Sequence, residues 1–125
     1  MKSVALTFLL VTYLSILTFS QVQVGRDIDG FRAYEYLGSV SMPNLTTIAI
    51  GVPELYTIGD TGRVRVYDWN GNAWIMRGLE IVGESSGDGF GGVVCMPDPN
   101  TVAIGATAND DGSGNISGHV RVYRW

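Results

Sequence analysis

The best candidate for chemistry in this chain is a run of oxygen-bearing and turn-forming residues, Asn109-Asp110-Asp111-Gly112-Ser113-Gly114-Asn115. Asn109, Asp110 and Asp111 would supply hard oxygen ligands, and calcium is the cation such ligands suit. The spacing is not that of an EF-hand, and the same composition is what a solvated turn requires. His119 and Cys95 are the only histidine and the only cysteine. Neither a Ser-His-Asp nor a Cys-His arrangement is therefore indicated, and no Cys/His metal spacing exists. His119 is expected as a surface side chain. Cys95, inside a strand pattern, is expected as a buried inert thiol, with an interchain disulfide as the alternative. Ser86-Gly87-Asp88-Gly89 carries an acid in a turn, but no pair of carboxylates stands apart from the solvated ones. No catalytic residue is assigned, and no cofactor is implied beyond calcium at the 109–111 loop.

The elements that must position these residues are written twice. Gly62-Arg63-Val64-Arg65-Val66-Tyr67-Asp68-Trp69 returns as Gly118-His119-Val120-Arg121-Val122-Tyr123-Arg124-Trp125, and Thr47-Ile48-Ala49-Ile50-Gly51 returns as Thr101-Val102-Ala103-Ile104-Gly105. The offset is 54 residues from Met42 to Met96 and 56 from Gly62 to Gly118, so a loop between them gains two residues. That loop is Leu55 to Thr61 in the first copy, where Asp60 is the only acid. Repeats of this length rich in short strands stack on one another to bury their faces. Strands are predicted over Ser39 to Met42, Thr47 to Val52, Arg63 to Trp69 and Ala73 to Arg77, with a hairpin turn at Asn70-Gly71. No sustained helical period follows residue 20, and the class is all-β.

The phase of the repeat matters. Gly78-Leu79-Glu80-Ile81-Val82-Gly83 matches Gly25-Arg26-Asp27-Ile28-Asp29-Gly30 at an offset of 53, so Gln21 to Gly25 corresponds to Trp74 to Gly78, the fourth strand of a unit. Two four-stranded sets are predicted, permuted so that one outer strand comes first. Residues 21–73 form the first unit and 74–125 the second. Small Ala49 and Gly51, with Ala103 and Gly105, would keep one strand of each unit slim, as strands near a propeller axis must be. A small β-sandwich uses the same alternation and is the alternative fold.

Residues 1–20 read as a signal peptide: Lys2, an apolar run of about 16 residues from Val4 to Phe19, and small residues for cleavage before Gln21. That run is short of the roughly 20 residues of a spanning helix, an uncleaved membrane anchor being the alternative. Residues 21–125 then carry seven Arg, no Lys and twelve acids, a net charge of −5, which argues against nucleic acid and anionic membranes as partners. Asn44-Leu45-Thr46 and Asn115-Ile116-Ser117 are glycosylation sequons in predicted loops, making Asn44 and Asn115 the candidate glycan sites.

Phe90-Gly91-Gly92-Val93-Val94 followed by Val102-Ala103-Ile104-Gly105-Ala106-Thr107 resembles the FG-GAP repeat of integrin alpha-chain β-propellers, and Tyr36-Leu37-Gly38 with Ile50-Gly51-Val52-Pro53 is a more divergent copy. The resemblance implies four-stranded propeller blades, extracellular adhesion or protein binding through loops, and rings of about seven blades. The acidic calcium loop of that family is replaced by Pro43-Asn44-Leu45-Thr46 and Pro97-Asp98-Pro99-Asn100, too poor in acids for a calcium cage. Two units cannot close a ring alone, whereas three or four copies of the chain could. The expectation is a secreted, non-enzymatic propeller repeat protein that binds protein partners and itself. A carbohydrate-binding or glycan-processing module, suggested by Trp69, Trp74 and Trp125, is the alternative. A fragment of a longer repeat protein without independent function is the other.

Overall fold

The computed structural model describes residues 20–53, 59–110 and 112–125. The expected signal peptide (save Ser20), Asp111 and the Leu55–Ile58 part of the first-copy loop lie outside the described residues. Among the described residues there is no helix; eight strands form two antiparallel sheets. The first sheet runs β1 (Val40–Asn44), β2 (Thr47–Val52), β3 (Arg63–Trp69) and β4 (Trp74–Met76), with the short β5 (Ile81–Val82) also paired to β3. The second runs β6 (Phe90–Asp98), β7 (Thr101–Ala106) and β8 (His119–Arg124).

The repeat in the sequence is a repeat in register. Val40 pairs with Ile50 and Ser41 with Ala49 in the first sheet, and Val94 with Ile104 and Cys95 with Ala103 in the second. The first strand of each sheet, β1 and β6, takes one extra residue before the turn, beside Pro43 and beside Pro97. Proline lacks an N–H for the ladder and suits such a bulge. Both turns are closed by the same local bond: Asn44 Oδ1 accepts from Thr46 N at 2.9 Å, and Asp98 Oδ1 accepts from Asn100 N at 2.8 Å. The third strands follow suit, Thr47 pairing with Asp68 as Thr101 pairs with Arg124.

The two sheets pack through β6, which lies across β1, β2 and β3. Ala49, Val64 and Val66 of the first sheet meet Phe90, Val94, Met96, Val102, Ile104 and Ala106 of the second in one buried cluster. Full burial of each valine, isoleucine or phenylalanine contributes about 1.5–3 kcal/mol. The sheets approach so closely that a Cβ on Gly51 would collide with the Gly91 carbonyl, and one on Gly62 with the Phe90 carbonyl. Glycine is required at both places by backbone meeting backbone. The outer edge of β6 is satisfied by serines of β1: Val94 N donates to Ser39 Oγ at 3.0 Å, and Met96 N to Ser41 Oγ at 2.8 Å.

Two expectations are corrected. The second sheet has three strands and the first five, in place of four each. Gln21 to Gly25, expected as a fourth strand, forms none. Its repeat-equivalent neighbour, β8, lies in the second sheet, while residues 24 and 25 rest on the far side of the first: Trp74 Nε1 donates to Val24 O at 3.1 Å, and Gly25 abuts the Trp69 and Trp74 rings.

Candidate functional site

Alternation along a strand assigns each side chain to one of two faces. In β3, Val64 and Val66 point to the second sheet and are 0% and 2% exposed. Their repeat counterparts in β8, Val120 and Val122, are 69% and 66% exposed. The same inversion holds on the other side of the stack. Val94 and Met96 of β6 are buried against the first sheet, whereas their counterparts Val40 and Met42 of β1 are 60% and 50% exposed. The stack of two sheets therefore ends in an open apolar face on the second sheet and, on the first, in the exposed side of β1, while β2 and β3 beside it are covered. The open face of the second sheet carries a shallow depression of about 610 Å³, with Val93, Cys95, Ala103, Gly105 and Val120 in its lining.

Cys95 belongs to this face and is exposed, contrary to the buried thiol expected from its strand. The strand pattern fixes its face correctly, but that face has no cover in the second sheet. Ser41, at the equivalent position in the first sheet, does have one, namely β6.

The opposite side of β3 holds a buried ion cluster that the pattern of arginines does not reveal. Arg65 is 1% exposed and gives both terminal nitrogens to Glu35, at 3.0 and 2.6 Å, while its Nε donates to Glu80 Oε1 at 2.6 Å. Arg63 pairs with Asp60 and stands 3.6 Å from Glu35 and 3.8 Å from Glu80. The Phe31 ring lies 3.9 Å from the Arg65 guanidinium, closing the cluster from outside. Burial pushes the Glu35 carboxyl up, but the Arg65 hydrogen bonds, the Phe31 and Arg32 backbone N–H groups and the Arg65 charge outweigh it, so the net shift is downward. An ionised, doubly bonded carboxylate is a structural anion here, not a proton donor. The partners of these arginines come from Glu35, outside the strands, from Asp60 just ahead of β3, and from Glu80 in the loop ahead of β5. In the second unit the corresponding pair, Arg121 with Glu84, sits at the surface.

The remaining candidates disperse. Asp110 is exposed and its Oδ1 accepts from Gly112 N at 2.9 Å, an ordinary turn bond, while Asn109 Nδ2 donates to the buried Asp88 at 2.8 Å. Among the described residues no three His, Cys, Asp or Glu side chains gather as a metal group. Asn44, expected in a loop, is the last residue of β1, and Asn115 lies in the loop ahead of β8; both are exposed. His119, expected at the surface, is half-buried on the side of β8 that faces the first sheet, and its Nε2 has no hydrogen-bond partner among the described residues. Trp69 and Trp74 are half-buried, with ring centroids 5.4 Å apart, and Trp125 is 49% exposed with Arg77 over its ring. Comparison with protein-family models, with curated proteins and with solved structures found no match to this chain.

Proposed function

We propose that this chain is a secreted, non-enzymatic repeat protein of FG-GAP-like, propeller-type sheets that works by protein–protein association, including adhesion. The observation that carries the reading is the inversion of exposure between repeats: apolar side chains buried inside the stack recur exposed at its two ends, as Val120 and Val122 on β8 and as Val40 and Met42 on β1. Contiguous apolar surface on a sheet face serves recognition of a partner. Glu35 and Glu80 are committed to Arg63 and Arg65, and the buried Asp88 accepts from Asn109, which supports a structural role for these three acids.

A hydrophobic dye tests this directly. The dilute protein should bind it, and Val122→Asp should lose most of that binding while keeping the same unfolding midpoint. Absence of dye binding at every concentration would mean that no apolar face is open, and the reading would fall.

Glycan binding is a second reading, favoured by one feature. A cleft of about 550 Å³ brings Trp74 together with Arg26, Asp27, Asp29 and Asn72, a ring beside polar groups of the kind that hold sugars. Binding on a glycan array that is lost in Trp74→Ala would support it, and a blank array would remove it.

A further inference from the structure

The interface inside the chain is a template for one outside it. Relative to the second sheet, β4 and β5 lie outermost: Arg77 donates to Pro99 O and stands over Trp125, and Ile81 packs on the core. Residues 24 to 29 occupy the equivalent place relative to the first sheet. Val24 and Gly25 rest on Trp74 and Trp69, Trp69 being the counterpart of Trp125, and Ile28-Asp29 corresponds to β5. The segment that corresponds to a fourth strand thus lies in the equivalent place, unpaired and not itself a strand. At the other end of the stack, β6-β7-β8 has three strands among the described residues, with no fourth among them, and β8 is an edge.

We propose that a second copy of this chain fills both gaps: the three-stranded sheet of one copy lays its open face on the outer face of the first sheet of the next, and its β8 pairs with that copy's residues 21–29. This rests on the association reading above and names the partner. The repeat offsets give the register. Tyr67 with Met76 becomes Tyr123 with Gln23, Asp68 with Ile75 becomes Arg124 with Val22, and Val64 with Ile81 becomes Val120 with Ile28. Gly105 keeps the room that Gly51 gives to β6: a Cβ on Gly105 would touch, among the described residues, Val93 of its own sheet and nothing nearer than 3.4 Å. Strand addition satisfies the β8 edge, and burial of Val120, Val122, Val40 and Met42 supplies the apolar contact. The contact is head-to-tail, so it propagates and closes as a ring when the rotation permits. With about six to eight sheets per ring, three or four copies close one.

Two variants at exposed positions test it: Val122→Asp spoils the open face of the second sheet, and Met42→Asp the outer face of the first. The full chain should have the mass of several copies, each variant alone the mass of one, and an equimolar mixture the mass of a 1:1 dimer, since each supplies the face the other lacks. Val93→Asp and Val40→Asp replace either variant that unfolds. A variant that keeps the wild-type mass, or a mixture that stays monomeric, overturns the head-to-tail contact. Loss of assembly in Val122→Asp alone would mean a face-to-face pair instead, and also overturns it. A wild-type monomer that still binds the hydrophobic dye refutes self-docking while leaving the association reading intact; a monomer that binds none refutes both.

Discussion

Replacing Glu35 by glutamine should destabilise the fold by about 3 kcal/mol. The substitution keeps shape and removes the charge that Arg65 contacts with two nitrogens, at 3.0 and 2.6 Å, in a site where the Arg65 side chain is 1% exposed and Glu35 6%. Removing one partner of a buried pair costs about 3–5 kcal/mol, because the other charge is left in a poorly solvating interior. The lower end applies here, since Glu80 still holds Arg65 Nε at 2.6 Å. With a urea dependence of about 1.5 kcal/mol per molar, the unfolding midpoint should fall by roughly 2 M. Glu84→Gln, which removes the exposed counterpart pair with Arg121, should leave the midpoint where it is. The pH profile gives an independent reading. The Glu35 carboxyl lies lower in the folded state than its ordinary 4.5, so its contribution is complete above that value and disappears as pH falls through the folded value. Wild-type stability should therefore drop on acidification below about pH 4.5 more steeply than that of the Glu35→Gln variant. Loss of less than about 0.5 kcal/mol, or superimposable acid profiles, would refute the view that this cluster is a closed, charged core.

Three further outcomes follow from the packing and the sequence. Gly51→Ala should cost about 3 kcal/mol by denaturant unfolding, because the new Cβ meets the Gly91 carbonyl, whereas Gly105→Ala, with nothing nearer than 3.4 Å, should cost less than about 1 kcal/mol; equal effects would contradict the asymmetric burial of the two sheets. Cys95 should react with a thiol reagent in the native dilute protein, and a bulky adduct there should prevent assembly; a thiol protected until unfolding would contradict its open face. Protein secreted from a eukaryotic host should begin at Gln21 and lose one glycan in each of Asn44→Gln and Asn115→Gln, as read by N-terminal sequencing and gel mobility. An unprocessed N-terminus would contradict the secretory reading.

The strands were legible because their signals are local. Thr47–Val52 and Arg63–Trp69 have the bounds expected from β-branched and aromatic runs, and the Asn70-Gly71 dipeptide lies between β3 and β4. The doubling of register could also be read, since a shared Pro-containing bulge and a shared offset leave few pairings open. What escaped the sequence depended on which face is covered and by what. Arg63 and Arg65 alternate with Val64 and Val66, a pattern suited to one wet face, yet both faces are dry because Glu35, thirty residues from Arg65, folds over the second. The clue available was Glu80, an acid set between Leu79 and Ile81 in a Gly-bounded segment. Cys95 was misplaced for the converse reason: alternation assigns a side chain to a face, and only the number of stacked sheets decides whether that face is covered. A fourth strand was expected at Gln21 to Gly25 because the repeat offset is blind to where the two ends of the stack lie. Within one copy they are on opposite sides.

The native mass of the full secreted chain, measured by light scattering across a dilution series, bears most directly on assembly by sheet exchange between copies. A discrete species of three or four chains, dissociating on dilution as dye binding rises, is the predicted result. A monomer at all concentrations, with or without dye binding, would contradict it.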